Sequence, residues 1–151
     1  MEKINSLRLL LAEDDSDDCL FFAMTLSDLP FTTHLETVPN GKKLMAYLSD
    51  VATLPDVLFL DLNMPLKNGI ECLTEIKQNK KLMQLPIIIY STSLHYNVAD
   101  QVYQMGADYY IRKSNLPELT RVLQIVFTQI TEKKFDRPSR DNFILSPVDG
   151  T

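Results

Sequence analysis

Short apolar runs alternate along this chain with segments whose apolar residues recur every three or four positions. Leu9-Leu10-Leu11-Ala12, Val57-Leu58-Phe59-Leu60 and Ile87-Ile88-Ile89-Tyr90 carry no charge, which predicts short strands buried on both faces of a parallel sheet. Between them, Cys19, Phe22, Leu26 and Leu29 fall at helical spacing until Pro30 stops the pattern. Asn40-Gly41 turns into a helix with Leu44, Leu48 and Val51 on one face, and Gly69 opens another with Ile70, Leu73 and Ile76. Val98, Val102 and Met105 mark a short helix ending at Gly106, and Asn115 to Ile130 carries Leu116, Leu119, Leu123, Val126, Phe127 and Ile130. Two further strands complete the alternation: a weak one from His34 to Val38, expected near an edge, and Ala107 to Lys113. Strand and helix in regular alternation predict an α/β domain with helices on both faces of its sheet.

At 151 residues the chain is long enough for one domain with a full core. A net charge of −5 without a basic stripe argues against nucleic acid as a direct partner. No apolar stretch is long enough to span a bilayer and no export signal is visible, so no membrane association and a cytoplasmic location are expected. Cys19 and Cys72 lie within helical patterns and read as small buried hydrophobes, not a disulfide framework. Residues 131–151 mix four basic and four acidic residues with Pro138 and Pro147. They read as a C-terminal tail after a 1–130 domain, although Phe135, Phe143, Ile144 and Leu145 offer apolar groups that could dock it. So short and charge-balanced a stretch makes no DNA-binding module, and no effector domain is expected.

Chemistry concentrates at strand ends. Asp61 ends the Val57 run, at the sheet edge where open α/β sheets bind ligands. A lone acid there is ordinarily a turn or cap residue. A second cluster, Glu13-Asp14-Asp15, closes the first apolar run, and adjacent carboxylates repel unless a cation or helix N-terminus neutralises them. Ser16 suits the N-cap, with Asp17 and Asp18 as favourable charge in the first turn and nothing more. Capping does not account for Glu13 and Asp14. If the two strands are neighbours, Glu13, Asp14 and Asp61 converge on a hard-oxygen pocket suited to Mg²⁺, and Asp61 can serve as nucleophile or metal ligand.

Acids at the ends of strands one and three, Ser91 at the end of four and Lys113 at the end of five resemble a response-regulator receiver domain, over roughly Leu7 to Ile130. Asp61-Leu62-Asn63-Met64-Pro65 followed by Gly69 is similar to that family's phosphoacceptor loop, Glu13-Asp14 to its acidic pair, and Gly106-Ala107 to the small pair before strand five. The resemblance implies a flavodoxin-like fold of five parallel strands in the order 2-1-3-4-5. It implies a stand-alone regulator whose Asp61 accepts a phosphoryl group from a histidine kinase or phosphotransfer protein. Mg²⁺ would be held by Asp14, Asp61, the Asn63 carbonyl and waters, with Glu13 acting mainly through a bound water. Lys113 would neutralise a phosphoryl oxygen, Ser91 would donate to the new group, and Tyr110 would be the switch aromatic. Thr92 and Asn63 would line the route of an attacking water.

By alternation, Tyr109 and Tyr110 face opposite ways, one toward a covering helix and one more open. Output is expected through a protein target, a phosphorelay or a homodimer, using a face that holds Tyr96, Tyr103, Tyr109 and Tyr110. Leu20, Phe21 and Met24 lie off the buried stripe of the first helix and predict a docking patch for the phosphodonor, unless the tail covers them. Beyond its own phosphorylation and dephosphorylation the domain is expected to be a signalling module and not an enzyme. A phosphohydrolase of the aspartyl-phosphate type would want a second acid where Asn63 stands. A degenerate domain that only binds partners is disfavoured by Glu13, Asp14, Asp61, Ser91 and Lys113 occurring together. One departure stands out: the family usually places a cis proline after the lysine, and Ser114 is there instead, so that loop either keeps the cis bond or is rebuilt in trans.

Overall fold

The structure, a computed structural model, describes residues 6–132 and 136–145. Among them β1 (Ser6–Ala12), β2 (Thr32–Val38), β3 (Val57–Leu60), β4 (Ile87–Ser91), β5 (Tyr109–Arg112) and β6 (Ile144–Leu145) form one parallel sheet in the order β2-β1-β3-β4-β5-β6. The helices are α1 (Ser16–Ser27), α2 (Gly41–Asp50), α3 (Gly69–Lys77), α4 (Tyr96–Gln104) and α5 (Leu116–Thr131).

Side chains alternate across the sheet and so divide the core in two. Leu9, Leu11, Val57, Phe59, Ile88, Tyr90, Tyr109 and Ile111 pack with Phe22 and Leu26 of α1 and with Leu119, Leu123 and Phe127 of α5. Leu10, Leu58, Leu60, Ile87, Ile89 and Tyr110 pack on the other face with Leu44 and Leu48 of α2, Leu73 and Ile76 of α3, and Val102 of α4. The central strands lie between helices on both sides, which is why their sequences are uninterrupted apolar runs. β2 is the edge strand and alternates in burial, as its weak pattern predicts.

Four expectations change. The sheet has six strands, not five, because the segment after α5 returns to the open edge of β5. Phe143 is fully buried there, edge-on to Tyr103 at 5.0 Å and to Tyr110 at 6.3 Å, and its carbonyl accepts from Tyr110 N at 3.0 Å. Arg137 stacks on the Tyr103 ring at 3.8 Å and donates to the carbonyls of Tyr103 and Ala107, while Arg140 pairs with Asp100 at 2.6 Å. Phe135 and Pro147 lie outside the described residues.

In consequence Tyr109 and Tyr110 are both buried, on opposite faces, and neither is the more open ring that alternation suggests. Tyr103 lies under the C-terminal arm, so of the four tyrosines only Tyr96 stays exposed. The α1 N-cap is Asp15, not Ser16: its side chain accepts from Asp18 N at 3.0 Å, a carboxylate being the stronger acceptor. No described peptide bond is cis, so the link from Lys113 to Ser114 is trans. Among the described residues no helix is long and apolar enough to cross a membrane.

Candidate functional site

The carboxyl ends of β1 and β3 lie side by side because Ala12 is in register with Leu60. Glu13 and Asp61 therefore emerge next to each other, each one residue past its strand. Both stay tied to the ladder: Glu13 N donates to Val38 O at 2.9 Å and Asp61 N to Ala12 O at 3.0 Å. Oxygens of Glu13, Asp14 and Asp61 all lie within 4.8 Å of one another. Glu13 and Asp61 are buried, and Asp14 is exposed. The three acids that sequence alone brings together conditionally are together in the fold.

The neighbouring strands supply the rest. Ser91 ends β4, opposite Arg112 of β5, and Lys113 N donates to Ser91 O at 2.7 Å, which places the lysine at the same edge. The Lys113 ammonium donates to Glu13 Oε1 at 2.5 Å and to Asp18 Oδ2 at 2.9 Å, and stands 3.8 Å from Asp61 Oδ2. Asn63 N donates to Asp61 Oδ1 at 3.3 Å and steadies the carboxylate. Gly69 is required where α3 begins, since a Cβ there would lie 2.4 Å from the Asp61 carbonyl oxygen. Asn68 caps this helix in a reciprocal capping box with Glu71, fixing the loop that follows Asp61.

Electrostatics at the site follow from burial. Removal from water pushes the Glu13 carboxyl up to about 7, against its hydrogen bond from Lys113 and with help from the nearby Asp61 charge. Asp61 is raised for the same reason, with Lys113 opposing. Burial works against the Lys113 ammonium, but Glu13, Asp18 and Asp61 outweigh it and its pKa is raised. Glu13, Asp14, Asp61 and Asp18 crowd around one lysine, and a divalent cation bound through oxygen would favour the charged carboxylates that burial disfavours. Ser91 Oγ, in a residue only 1% exposed, has no hydrogen-bond partner among the described residues. A buried hydroxyl without a partner is costly unless another group fills its place in some state of the protein.

Tyr110 borders this cluster, close enough for the Ser91 side chain and the Asp61 charge to act on its hydroxyl. It lies on β5 facing α4, and its hydroxyl donates to Ser93 O at 2.7 Å, just beyond Ser91. Thr92 and Asn63 are both exposed at the rim. Two residues escape sequence reasoning. Asp18, assigned there to helix electrostatics alone, reaches Lys113; Tyr90 sets its ring 5.2 Å from the same ammonium. The signal for Asp18 was a surplus, since Asp14, Asp15, Asp17 and Asp18 are more acids than one helix start uses.

Comparison with known proteins agrees with this geometry. The response regulator receiver domain family matches residues 9–124. The response regulator Rcp1 of Synechocystis sp. is 31% identical over 122 residues, which cover 77% of this chain and 83% of Rcp1. The chemotaxis protein CheV1 of Helicobacter pylori is 29% identical, over 82% of this chain but 39% of its own length. Among solved structures, the phosphorylated cyanobacterial phytochrome response regulator RcpA is similar with a TM-score of 0.76 and 30% identity, covering 89% of this chain and 99% of that one. The Mn²⁺-bound form of Rcp1 gives 0.73 and 28%, covering 88% and 99%. With its acids, hydroxyl and lysine at one edge of a doubly wound sheet, the chain belongs to the response regulator receiver domain family of two-component signalling.

Proposed function

We propose that Asp61 is the phosphoacceptor of this receiver and that its partner is a histidine kinase or a phosphotransfer protein. The observation that carries this reading is the buried Asp61 carboxylate flanked by a cation, Lys113 at 3.8 Å, and by a buried hydroxyl, Ser91, that has no partner among the described residues. An Asp61 oxygen attacks phosphorus as the bond from phosphorus to the donor's imidazole nitrogen breaks, and the electron pair stays with the imidazole. Lys113 supplies an N–H to a phosphoryl oxygen, and Ser91 Oγ donates to another. Asn63 N holds the nucleophile oriented during transfer.

The acidic group fits Mg²⁺. Asp14, Asp61 and the Asn63 carbonyl would hold it, with Glu13 behind a water, because both Glu13 oxygens already accept, from Lys113 at 2.5 Å and from Asp15 N at 3.1 Å. The cation supplies charge neutralisation for the transferring group. Apart from its own phosphorylation and dephosphorylation the domain turns over no substrate.

Leu20 and Met24 stand 61% and 54% exposed on α1 beside the site, while Phe21 packs against the core. Among the described residues the C-terminal arm docks on β5 and leaves this patch uncovered, which supports α1 as the docking surface for the phosphodonor. Residues 136–145 extend the receiver itself, a reading supported by Phe143 in its core. We propose that output runs through a protein target, a second copy of the chain or a relay, in the cytoplasm. Incubation with acetyl phosphate tests the assignment: acid-stable labelling should require Mg²⁺ and disappear in Asp61→Asn. Stoichiometric labelling of that variant would end it.

A further inference from the structure

The acidic motif ends at Asp15, yet a fourth carboxylate enters the site from α1. Asp15 accepts from Asp18 N at 3.0 Å and thereby fixes the backbone of the helix's first turn. From there Asp18 Oδ2 reaches Lys113 Nζ at 2.9 Å, nearer than the 3.8 Å that separates Lys113 from Asp61. An ammonium has three N–H donors. Here Glu13 and Asp18 take two, and the Tyr90 ring lies 5.2 Å from the nitrogen. Lys113 is thus drawn toward α1 and away from the nucleophile. Asp18 is outside the group of acids that can hold a common metal ion, Glu13, Asp14 and Asp61. A cation bound there would offset the charge of Asp14 and Asp61 and leave the claim of Asp18 on the lysine untouched.

The geometry points to Asp18 as a positioning residue that competes with the phosphoryl group for Lys113. This rests on Asp61 being the phosphoacceptor. Asp18 stabilises the unphosphorylated arrangement in two ways that act in one direction: it occupies a donor of the lysine, and its charge repels the incoming anion. The pair joins α1, where the phosphodonor is proposed to dock, to the end of β5. Its rupture is a local price for phosphorylation. Asp17 carries the same charge in the same helical turn but is exposed, and among the described residues its side chain has no hydrogen-bond or ion-pair partner. It separates this role from helix electrostatics.

The test is equilibrium binding of beryllofluoride, an anionic phosphoryl mimic, to the full chain in saturating Mg²⁺. Asp18→Asn should tighten it by roughly fivefold, the scale of one partly exposed ion pair. Mg²⁺ affinity measured alone should not rise, since removing a negative charge cannot favour a cation. Asp17→Asn should bind the mimic like wild type, and Asp18→Asn in a Lys113→Met background should add nothing. The cap is donated by the Asp18 backbone, so the thermal unfolding midpoint should fall by no more than the roughly 2–4 °C that one such ion pair is worth, and it serves as the folding control. Unchanged or weaker binding in Asp18→Asn, or equal tightening in Asp17→Asn, overturns the inference while leaving the phosphoacceptor intact. Failure of the wild type to bind the mimic overturns the phosphoacceptor reading, and this inference with it.

Discussion

Glu13 and Asp14 are adjacent in sequence but face different demands. Glu13 is buried with both oxygens accepting hydrogen bonds, whereas Asp14 is exposed and points an oxygen into the same acidic group. A metal ion can recruit Asp14 without breaking anything, but direct contact with Glu13 means displacing Lys113. Mg²⁺ titration should therefore show a loss of about tenfold for Glu13→Ala, the usual cost of an outer partner, and a larger loss for Asp14→Ala. Equal losses would put Glu13 in direct contact with the ion. At this scale the acids, Ser91 and Lys113 were legible because each ends a strand, and strand ends in a parallel sheet share one edge. Asp18 was not, because its partner lies 95 residues away and helix electrostatics already gave it a local explanation.

Elements were legible in proportion to their burial. β3 and β4 are apolar on both faces and stand out in the sequence, while Asn40, Asn68 and Asn115 cap the helices they precede. β6 was not legible: two residues have no period, and only the apolar side chains of Phe143 to Leu145 hinted at docking. At the start of β5, Asp108 accepts from Ile87 N at 2.8 Å, and burial raises its carboxyl above the ordinary range, against that hydrogen bond and the charges of Lys77 and Arg137. A folded pKa above the unfolded one means that the native state holds its proton longer. Stability from this group is complete below the ordinary Asp range and declines as pH rises from there through the raised value. Asp108→Asn keeps an acceptor for Ile87 and cannot ionise, so its denaturation midpoint should gain on wild type as pH rises through that window; parallel curves would remove Asp108 from the account. On α1 the exposed Leu20 makes a separable claim. Leu20→Ser should slow phosphotransfer from a protein donor and leave acetyl-phosphate labelling unchanged, and loss of both would point to folding instead.

Across the whole molecule, the arm converts an expected output face into an internal contact. A continuous set of contacts runs from the site to it. Two residues past Ser91 stands Ser93, whose carbonyl accepts from Tyr110 at 2.7 Å; the Tyr110 ring meets Phe143; and Tyr110 N donates to Phe143 O at 3.0 Å. If Ser91 turns toward a phosphoryl group, the Ser91–Ser93 loop moves with it, and the bond to Tyr110 is the first to be disturbed. The arm then responds in proportion to how differently it fits the two states. Phe143→Ala should first show what the anchor contributes: about 3 kcal/mol for a fully buried ring, a melting temperature lower by roughly 6–12 °C, and faster tryptic cleavage after Arg140. In the intact protein, beryllofluoride with Mg²⁺ should speed amide exchange at Tyr110, and Ser91→Ala should abolish that change without preventing Asp61 labelling. Because binding couplings are reciprocal, an arm loosened by Phe143→Ala should in turn tighten beryllofluoride binding by the factor with which the mimic favours the loosened arm. Exchange at Tyr110 that ignores the mimic would make the arm a fixed part of the core. Output would then have to run through surfaces the arm leaves free, with Tyr96 and the exposed apolar residues of α1 among the places to look.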